Sequence, residues 1–336
     1  MKKKVTIKTL ATTLGVSVCT VNKALYGKPK VSEETRKKVI ELAKELGYEP
    51  NYAAQAMGRG ISNIGIVYNG AYDTYCTPIV NSIEKAFEAL KHMRFEHITV
   101  DTSIANNMDI LAENILNVAK KAKIIVFIVN EKILDKYIQD IINSTNLPVI
   151  LVGENLKYVK NVISVISQDA KICGYTAADL LNAFGVEENL IITTGMMSSY
   201  DHMQKVINFK ERSAQLGVKN IEVLEIVDNS DLQYRLVKEI ISKREINGIY
   251  ASTDIIEGIC KAVEEINMKN IKIISTGDFG YIKEMMSTGV IDITIDQALS
   301  DQGTAVVKAI ENYFRAKETE KYTLVTPIIK TVSMIK

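Results

Sequence analysis

The chain has 336 residues, of which 47% are hydrophobic and 24% charged, a composition that is ordinary for a globular protein of two or three domains. Its net charge of +1 hides an asymmetry, because residues 1–60 hold 12 basic and 5 acidic side chains, while the remainder has an excess of six acidic ones. The absence of long apolar runs argues against a signal peptide and a membrane span, and four scattered cysteines argue against a disulfide framework or a zinc site, so we expect a cytoplasmic protein.

The basic N-terminal segment contains three short predicted helices. Each begins after a hydroxyl side chain that can accept a hydrogen bond from the first turn, and Gly15 suits the left-handed turn that ends the first helix. Helix, glycine turn and capped helix together form the helix-turn-helix arrangement, although a helical hairpin used only for packing has the same pattern. The caps and helices are Thr6 with Ile7–Leu14, Ser17 with Val18–Leu25, and Ser32 with a helix that runs to Leu46.

The second helix of such a module enters the DNA major groove by its N-terminal residues. Val18 and Cys19 suit apolar contacts, for example with a thymine methyl group, and Lys23 can donate to guanine. Polar side chains beside them can reach phosphates or sugars. These polar side chains belong to Ser17, Thr20 and Asn22.

Residues 5–51, which contain these three predicted helices, resemble the DNA-binding headpiece of the lactose/galactose repressor (LacI/GalR) family. The resemblance is dense and uninterrupted from Thr6 to Asn51, and it implies a double-stranded, pseudo-palindromic DNA partner. It departs from the family at Asn22, where Ser is usual, and at Lys23, where Arg is usual. Because Lys is a point charge rather than a planar fork, these departures leave the operator sequence open.

Residues 50–60 resemble the hinge helix of the same family. The resemblance implies that Asn51 caps this helix, that Met57 is an apolar wedge in the minor groove, and that Thr6 and Ala54 also contact DNA. A segment this short is not helical by itself in water, so the resemblance implies that it becomes helical when the protein binds DNA. A plain interdomain linker is the alternative, since the segment is rich in small residues and glycine.

From residue 61 onward, short apolar runs alternate with helical patterns, which indicates an α/β fold with parallel sheets in two lobes. Helices are expected to begin near residues 77, 108, 132, 170, 203, 231, 254 and 281, and the C-terminal stretch reads as one more strand. The expected strands are Ile64–Tyr68, Phe95–Val100, Ile124–Val129, Val149–Val152, Val162–Ser167, Leu190–Thr194, Ile221–Ile226, Gly248–Ala251, Ile271–Ser275 and Ile291–Asp296.

This body resembles the effector domain of the family, which is similar to type I periplasmic sugar-binding proteins. The resemblance implies a headpiece over residues 1–49, a hinge over 50–60 and an effector-binding and dimerisation domain over 61–336. Its first lobe would contain residues 61–163 and 298–320, and its second lobe residues 164–297 and 321–336. The implied effector contacts are Asp73, Tyr75, Cys76, Lys205, Thr253, Asp254, Asp278 and Gln297.

Several of these positions have an ordinary structural alternative. Carboxylates after a strand often cap the next helix, which we expect of Asp169 and Asp254 whether or not they touch a ligand. Lys205 stands where the family has an arginine, and Asn208 stands where it has a glycine. The effector therefore stays open between a neutral monosaccharide or polyol and, because Lys205 offers a cation, a sugar acid or phosphate.

The sequence contains no phosphate-binding glycine loop, no nucleophile elbow and no histidine cluster, so nothing in it indicates catalysis, a metal or a cofactor. We expect a homodimeric transcriptional repressor controlled by a small sugar-like effector, with assembly into tetramers left open. The alternative within the family is a regulator controlled by a phosphoprotein corepressor. A sugar-binding transport protein and a sugar-modifying enzyme are weaker alternatives, since the first would lack the headpiece and the second would need catalytic groups.

Overall fold

The computed structural model describes residues 5–26, 29–48, 52–226, 229–268 and 270–335. The N-terminal module consists of helices α1 (Ile7–Leu14), α2 (Val18–Leu25) and α3 (Glu33–Glu45). Each helix starts at the expected cap, and Gly15 ends α1 with a φ of +64°. The small core of the module consists of Leu10, Ala11, Val21, Ala24, Val39 and Ala43.

Helix α4 (Tyr52–Arg59) links this module to the body, whose strands alternate with helices along the chain. The strands are β1 (Ser62–Tyr68), β2 (Phe95–Asp101), β3 (Ala122–Ile128), β4 (Val149–Val152), β5 (Val162–Gln168), β6 (Glu188–Thr194), β7 (Lys219–Glu225), β8 (Gly248–Ala251), β9 (Lys272–Thr276), β10 (Ile293–Asp296), β11 (Tyr322–Val325) and β12 (Ile328–Lys330).

The helices of the body cover its strands, and apolar side chains from both faces of each sheet form separate cores. These helices are α5 (Asp73–Ala89), α6 (Met108–Ala119), α7 (Glu131–Leu134), α8 (Lys136–Ser144), α9 (Ala170–Ala183), α10 (Tyr200–Gln215), α11 (Ser230–Lys243), α12 (Glu257–Ile266), α13 (Gly280–Thr288) and α14 (Leu299–Phe314).

The strands form two six-stranded sheets, one in each lobe. The first has the order β11-β5-β4-β3-β1-β2, and all of its strand pairs are parallel. The second has the order β12-β10-β9-β8-β6-β7, in which β12 alone runs antiparallel, against β10. Two sheets of mainly parallel strands, with helices on both faces, confirm the expected α/β class, since a chain that adds a parallel strand returns to the same edge of the sheet through a helix.

The sheets divide the chain differently from the expected lobes at the C-terminus. All of β5 belongs to the first sheet, so the chain passes to the second lobe after Gln168, close to the expected crossing near residue 164. Strand β11 also belongs to the first sheet, whereas residues 321–336 were expected to lie wholly in the second. The C-terminal stretch therefore forms two short strands, one in each lobe, because residues 326–327 carry the chain across.

Helix α14 is the longest helix that was not predicted from the sequence. Its apolar side chains Val306, Val307 and Ile310 are buried against α5 and the first sheet. Gly303 allows the close approach, because a Cβ atom there would lie 2.5 Å from the carbonyl oxygen of Ile79 in α5. Among the helices of the described residues, none is long and apolar enough to cross a membrane.

Candidate functional site

The first candidate surface is the exposed side of α2. Val18 and Cys19 are exposed at its N-terminus, while Val21 and Ala24 on the opposite side are buried in the module core. The remaining candidates Thr20, Asn22 and Lys23 are partly exposed. All of the residues expected on the reading face of α2 are thus accessible from solvent, which the period of the helix allowed the sequence to predict.

Two candidate side chains of this module have structural bonds as well. The Thr6 hydroxyl accepts a hydrogen bond from the Thr9 N–H at 3.3 Å, and the Ser17 hydroxyl accepts one from the Thr20 N–H at 3.0 Å. Both residues stay exposed. The exposed N-terminus of a helix favours anions, so this surface suits phosphate groups on steric and electrostatic grounds.

Helix α4 is formed and lies against the body. Ala56 faces the body and is buried, whereas the Met57 side chain is 72% exposed. Asn51 lies outside the described residues; Ala54 is within the helix, but its side chain is not among those described. The exposed thioether of Met57 is an apolar group without a packing role in the described chain, as an insertion wedge requires.

Both ends of α4 are attached to the end of α14. The guanidinium group of Arg59 donates to the Met93 carbonyl oxygen at 2.8 Å and lies over the Phe314 ring. At the other end of α4, the Arg315 guanidinium carbon lies 4.3 Å from the centre of the Tyr52 ring. Cation–π contacts of this kind fix the orientation of the helix on the body.

The second candidate site is a cavity of about 220 Å³ between the two lobes. Its walls are formed where the strands of both sheets end, which is the usual position of ligand sites in such folds. The first lobe contributes Tyr72, Tyr75, Val129, Asn130, Glu131, Leu134, Gly153, Glu154 and Gln168, and the second contributes Met196, Ser199, Asp201, His202, Lys205, Ser252, Thr253, Asp254 and Gln297.

Lys205 is the central charged group of the second wall. Its ammonium lies 2.9 Å from the Asp201 carboxylate and donates to the Ser252 carbonyl oxygen at 3.2 Å, and the side chain is only 2% exposed. The helix that carries it, α10, packs closely on α9 at Gly174, where a Cβ atom would lie 2.6 Å from the Lys205 carbonyl oxygen. The glycine therefore allows α10 to place Lys205 at the cavity.

Tyr75 occupies the opposite wall. Burial raises the pKa of its phenol, which is therefore a neutral hydrogen-bonding group at ordinary pH. Gly153 faces it, since a Cβ atom at Gly153 would lie 3.1 Å from the Tyr75 hydroxyl oxygen. An aromatic face with a polar tip suits a small polar ligand.

Three sets of hydrogen bonds join the lobes around the cavity. Glu154 accepts from the Ser199 hydroxyl at 3.2 Å and from the Tyr200 N–H at 3.1 Å. Asp254 accepts from the Thr74 hydroxyl at 2.9 Å. The Gln168 amide donates to Asp201 at 3.1 and 3.2 Å. Separation of the lobes would break these bonds, so the described arrangement is the closed one.

Five of the eight expected effector residues line this cavity, namely Tyr75, Lys205, Thr253, Asp254 and Gln297. The capping role expected of Asp169 is also present, since it accepts from the Ile172 N–H at 3.0 Å. Asp254 does not cap α12, which begins at Glu257 without a side-chain cap bond.

The other three expected residues lie outside the cavity lining. Asp73 begins α5 and is bonded to Thr77 in the next turn. Cys76 is 2% exposed in the core of the first lobe, where burial raises the pKa of its thiol to about 11, so its assignment as a contact is corrected. Neighbouring helix positions face different directions, and the one that points to the cavity is Tyr75.

Asp278 is also corrected, because it is held in an ion-pair network beside a different crevice. Lys330 binds it at 2.5 Å and Lys283 at 3.1 Å. Burial alone would raise the pKa of this carboxyl, but the two ammonium groups lower it below its usual value. The group therefore links β12 and α13 to the end of β9.

Several polar residues of the cavity were not predicted from the sequence. Glu131 and Glu154 come within three residues of the ends of β3 and β4, a signal that could have identified them. Asp201 stands one helical turn before Lys205, so it too was open to prediction. Asn208, which stands where the resemblance implies a glycine, is buried outside the lining, and its amide donates to the Gln204 carbonyl oxygen at 2.7 Å.

Comparisons with known proteins agree with this geometry. Residues 6–51 match the family described as bacterial regulatory proteins, lacI family, and residues 64–318 match the periplasmic binding protein domain. The HTH-type transcriptional regulator RegA of Clostridium saccharobutylicum is 24% identical over 98% of this chain and 99% of its own length.

Two solved structures show the same fold for the body. Transcription regulator CcpA of Lactococcus lactis has a TM-score of 0.68 at 16% identity and covers 82% of this chain and 100% of its own. AraP, an arabinose binding protein from Geobacillus stearothermophilus, has a TM-score of 0.71 at 18% identity and covers 82% of this chain and 98% of its own.

Proposed function

Because this chain belongs to the lacI family of bacterial regulatory proteins and is a DNA-binding transcriptional regulator, we propose that it is a repressor whose DNA affinity is controlled by a small sugar-like effector in the interlobe cavity. Its relatives are transcriptional regulators rather than enzymes. The single observation that carries the proposal is a cavity bridged by hydrogen bonds between lobes, in a body whose α14 holds the hinge helix.

The DNA side of the proposal uses two copies of the chain. One headpiece reads only a few base pairs, so specificity requires a homodimer on a pseudo-palindromic site. The reading groups are Val18, Cys19 and Lys23, with Ser17, Thr20 and Asn22 on phosphates or sugars. Thr6, Asn51, Ala54 and Met57 complete the proposed contacts. The regulator would act in the cytoplasm, where bacterial DNA lies.

The control mechanism is thermodynamic linkage between the cavity and the hinge. An effector that prefers the closed lobes stabilises one placement of α14, and hence one placement of α4 in each subunit. Whether two hinge helices can pair over the minor groove then depends on effector occupancy. Release from DNA is the proposed response, since it is the commoner mode in the family. AraP, whose fold the body shares, is named as an arabinose binding protein, which supports a sugar-like ligand.

Two measurements test the proposal. Selection of bound fragments from a random double-stranded DNA pool should enrich a pseudo-palindrome, and a single asymmetric site would contradict the dimer. Thermal unfolding of the full chain against sugars, polyols, sugar acids, sugar phosphates and amino sugars should show one class that raises the apparent stability. If that ligand left the affinity for the selected DNA unchanged, effector control would be refuted.

A further inference from the structure

The interlobe cavity has a large excess of negative charge. Among the described residues that line it, four carboxylates stand against a single ammonium, that of Lys205. This ammonium is matched by Asp201 at 2.9 Å and is almost fully buried. The other three carboxylates, those of Glu131, Glu154 and Asp254, form no ion pair with a lysine or arginine of the described chain, and the remaining basic side chain on the wall is His202.

The donors that hold these three carboxylates are all neutral. Glu131 accepts from the Asn69 amide and the Tyr72 hydroxyl, both at 3.3 Å. Glu154 and Asp254 accept from hydroxyl and backbone groups across the lobe interface. Such bonds orient a carboxylate, but they do not cancel its charge. Glu154 and Asp254 are only partly exposed, so enclosing their charges between the lobes costs free energy, which a cationic ligand would offset.

A metal ion does not fit this arrangement. Within the described ranges, no three His, Cys, Asp or Glu side chains form a group that could hold one. The carboxylates instead approach from opposite walls, with Glu131 and Glu154 on the first lobe and Asp254 on the second. Carboxylates on both walls suit an organic cation that also carries hydroxyl groups.

Other lining groups suit the same kind of ligand. The Ser252 side chain is fully buried, and its hydroxyl has no hydrogen-bond partner within the described chain. The rings of Tyr72 and Tyr75 line the first wall, and an ammonium over an aromatic face is attracted by its quadrupole. The cavity volume of about 220 Å³ lies below that of drug-sized sites, which favours a ligand about as large as a monosaccharide.

We propose that the effector is a small hydroxylated amine, of the amino-sugar class, whose protonated amino group binds among Glu131, Glu154 and Asp254. The inference rests on the proposed effector site and specifies its ligand. It reverses the expectation that Lys205 would attract a sugar acid or phosphate, because Asp201 already neutralises that ammonium. An anion would meet three carboxylates that have no lysine or arginine partner on the cavity wall.

The first test compares matched ligands by isothermal titration calorimetry on the full-length protein. The sets are D-glucosamine, D-glucose and N-acetyl-D-glucosamine, the same three forms of D-galactose and D-mannose, and glucamine with sorbitol. At least one amine should bind about tenfold or more tightly than its neutral partners, the expected gain from a charge-assisted contact. Its affinity should fall as ionic strength rises.

The other outcomes of the titration separate the ligand class from the existence of the effector site. If a neutral sugar binds as tightly as the amines or more tightly, this inference is wrong and the proposed effector site stands. If no member of the panel binds, this inference is wrong, and the thermal-unfolding series, which also contains sugar acids and sugar phosphates, decides whether the proposed effector site fails as well.

The second test removes charge without changing shape. Glu154→Gln retains an oxygen that can accept from Ser199 or Tyr200, so the lobes can still close. It should weaken binding of the amine by about tenfold and that of its neutral analogue by less than about threefold. Asp140→Asn is the matched control, because Asp140 is exposed on α8 outside the cavity lining. Equal losses for amine and neutral ligand in Glu154→Gln would overturn the assignment.

Discussion

The guanidinium carbon of Arg59, the last residue of the hinge helix α4, lies 4.4 Å from the centre of the Phe314 ring at the end of α14. The other end of α14 adjoins the cavity, where the Gln302 amide donates to the Gln297 carbonyl oxygen at 3.0 Å. One helix of 16 residues, about 24 Å long, therefore spans the distance from the interlobe cavity to α4. It is a rigid element on which both sites can act.

Arg59→Ala should reduce the coupling between effector and DNA. The variant loses the 2.8 Å hydrogen bond to the Met93 carbonyl and the contact with Phe314. We expect effector affinity to stay within about twofold, while the effector-induced change in DNA affinity shrinks by about 0.5–2 kcal/mol. Fluorescence anisotropy with selected DNA, with and without effector, measures this change. Lys85→Ala, at an exposed position of α5, is the control. An unchanged coupling in Arg59→Ala would refute the role of Arg59 in joining α4 to α14.

Met57→Ala should weaken specific DNA binding much more than nonspecific binding. The side chain is 72% exposed, so its truncation leaves the protein core intact, and alanine preserves the helical propensity of α4. Loss of the wedge should cost about tenfold or more on the selected site and little on unrelated DNA. Met57→Leu, which retains apolar bulk, should bind nearly as well as the native chain. Equal losses on both DNAs would exclude a wedge.

Lys23→Ala should relax base preference at one position of each half-site. The side chain is partly exposed on α2, where it can donate to guanine. Discrimination at that position should fall by about 1–3 kcal/mol, as measured by binding to a library of single-base variants. A uniform loss across all sequences, with a smaller salt dependence, would instead identify Lys23 as a phosphate contact.

Lys205→Met should destabilise the protein by leaving Asp201 without its cationic partner. The ammonium is 2% exposed and Asp201 is 18% exposed, so the pair is mostly removed from water. We expect a loss of about 2 kcal/mol in the free energy of unfolding, below the range for fully buried pairs because the cavity admits water. Urea denaturation measures it. Lys205→Met with Asp201→Asn should recover most of the loss, and purely additive effects would contradict the pairing.

Cys19 should be the first cysteine to react with a thiol reagent. Burial raises the pKa of the Cys76 thiol to about 11 and those of Cys173 and Cys260 to about 12. At pH 8 these three thiols stay protonated and inaccessible, whereas Cys19 is exposed on the reading helix. Iodoacetamide labelling followed by peptide mass spectrometry checks the order. Bound specific DNA should slow labelling at Cys19, and unchanged labelling would place this residue outside the interface.

The sequence predicted the headpiece well because its signals are local. The hydroxyl caps Thr6, Ser17 and Ser32 stand within three residues of the N–H groups that they accept from, and the buried positions of α2 follow from a helical period. The strands were also predicted, since the interior strands of a parallel sheet are continuous apolar runs. Helix α14 was missed, although its apolar period was present in the sequence.

The cavity residues were predicted less completely because their roles depend on packing between distant segments. Tyr75 and Cys76 are neighbours in the chain, and the docking of α5 on the first sheet decided that Tyr75 lines the cavity and Cys76 is buried. The partner that neutralises Lys205 is different, since Asp201 lies one turn earlier in the same helix and could have been predicted.

By itself, the sequence determined helix α2 of the helix-turn-helix module, the α/β class and the strand ends that line the interlobe cavity, because these depend on neighbouring residues and on apolar periodicity. Only the tertiary structure decided that Glu154 bridges to Ser199 and that α14 joins the cavity to Arg59. It also decided which carboxylates remain unmatched. The physical reason is that electrostatic balance and lobe contacts depend on distances through space, which separation along the chain does not determine.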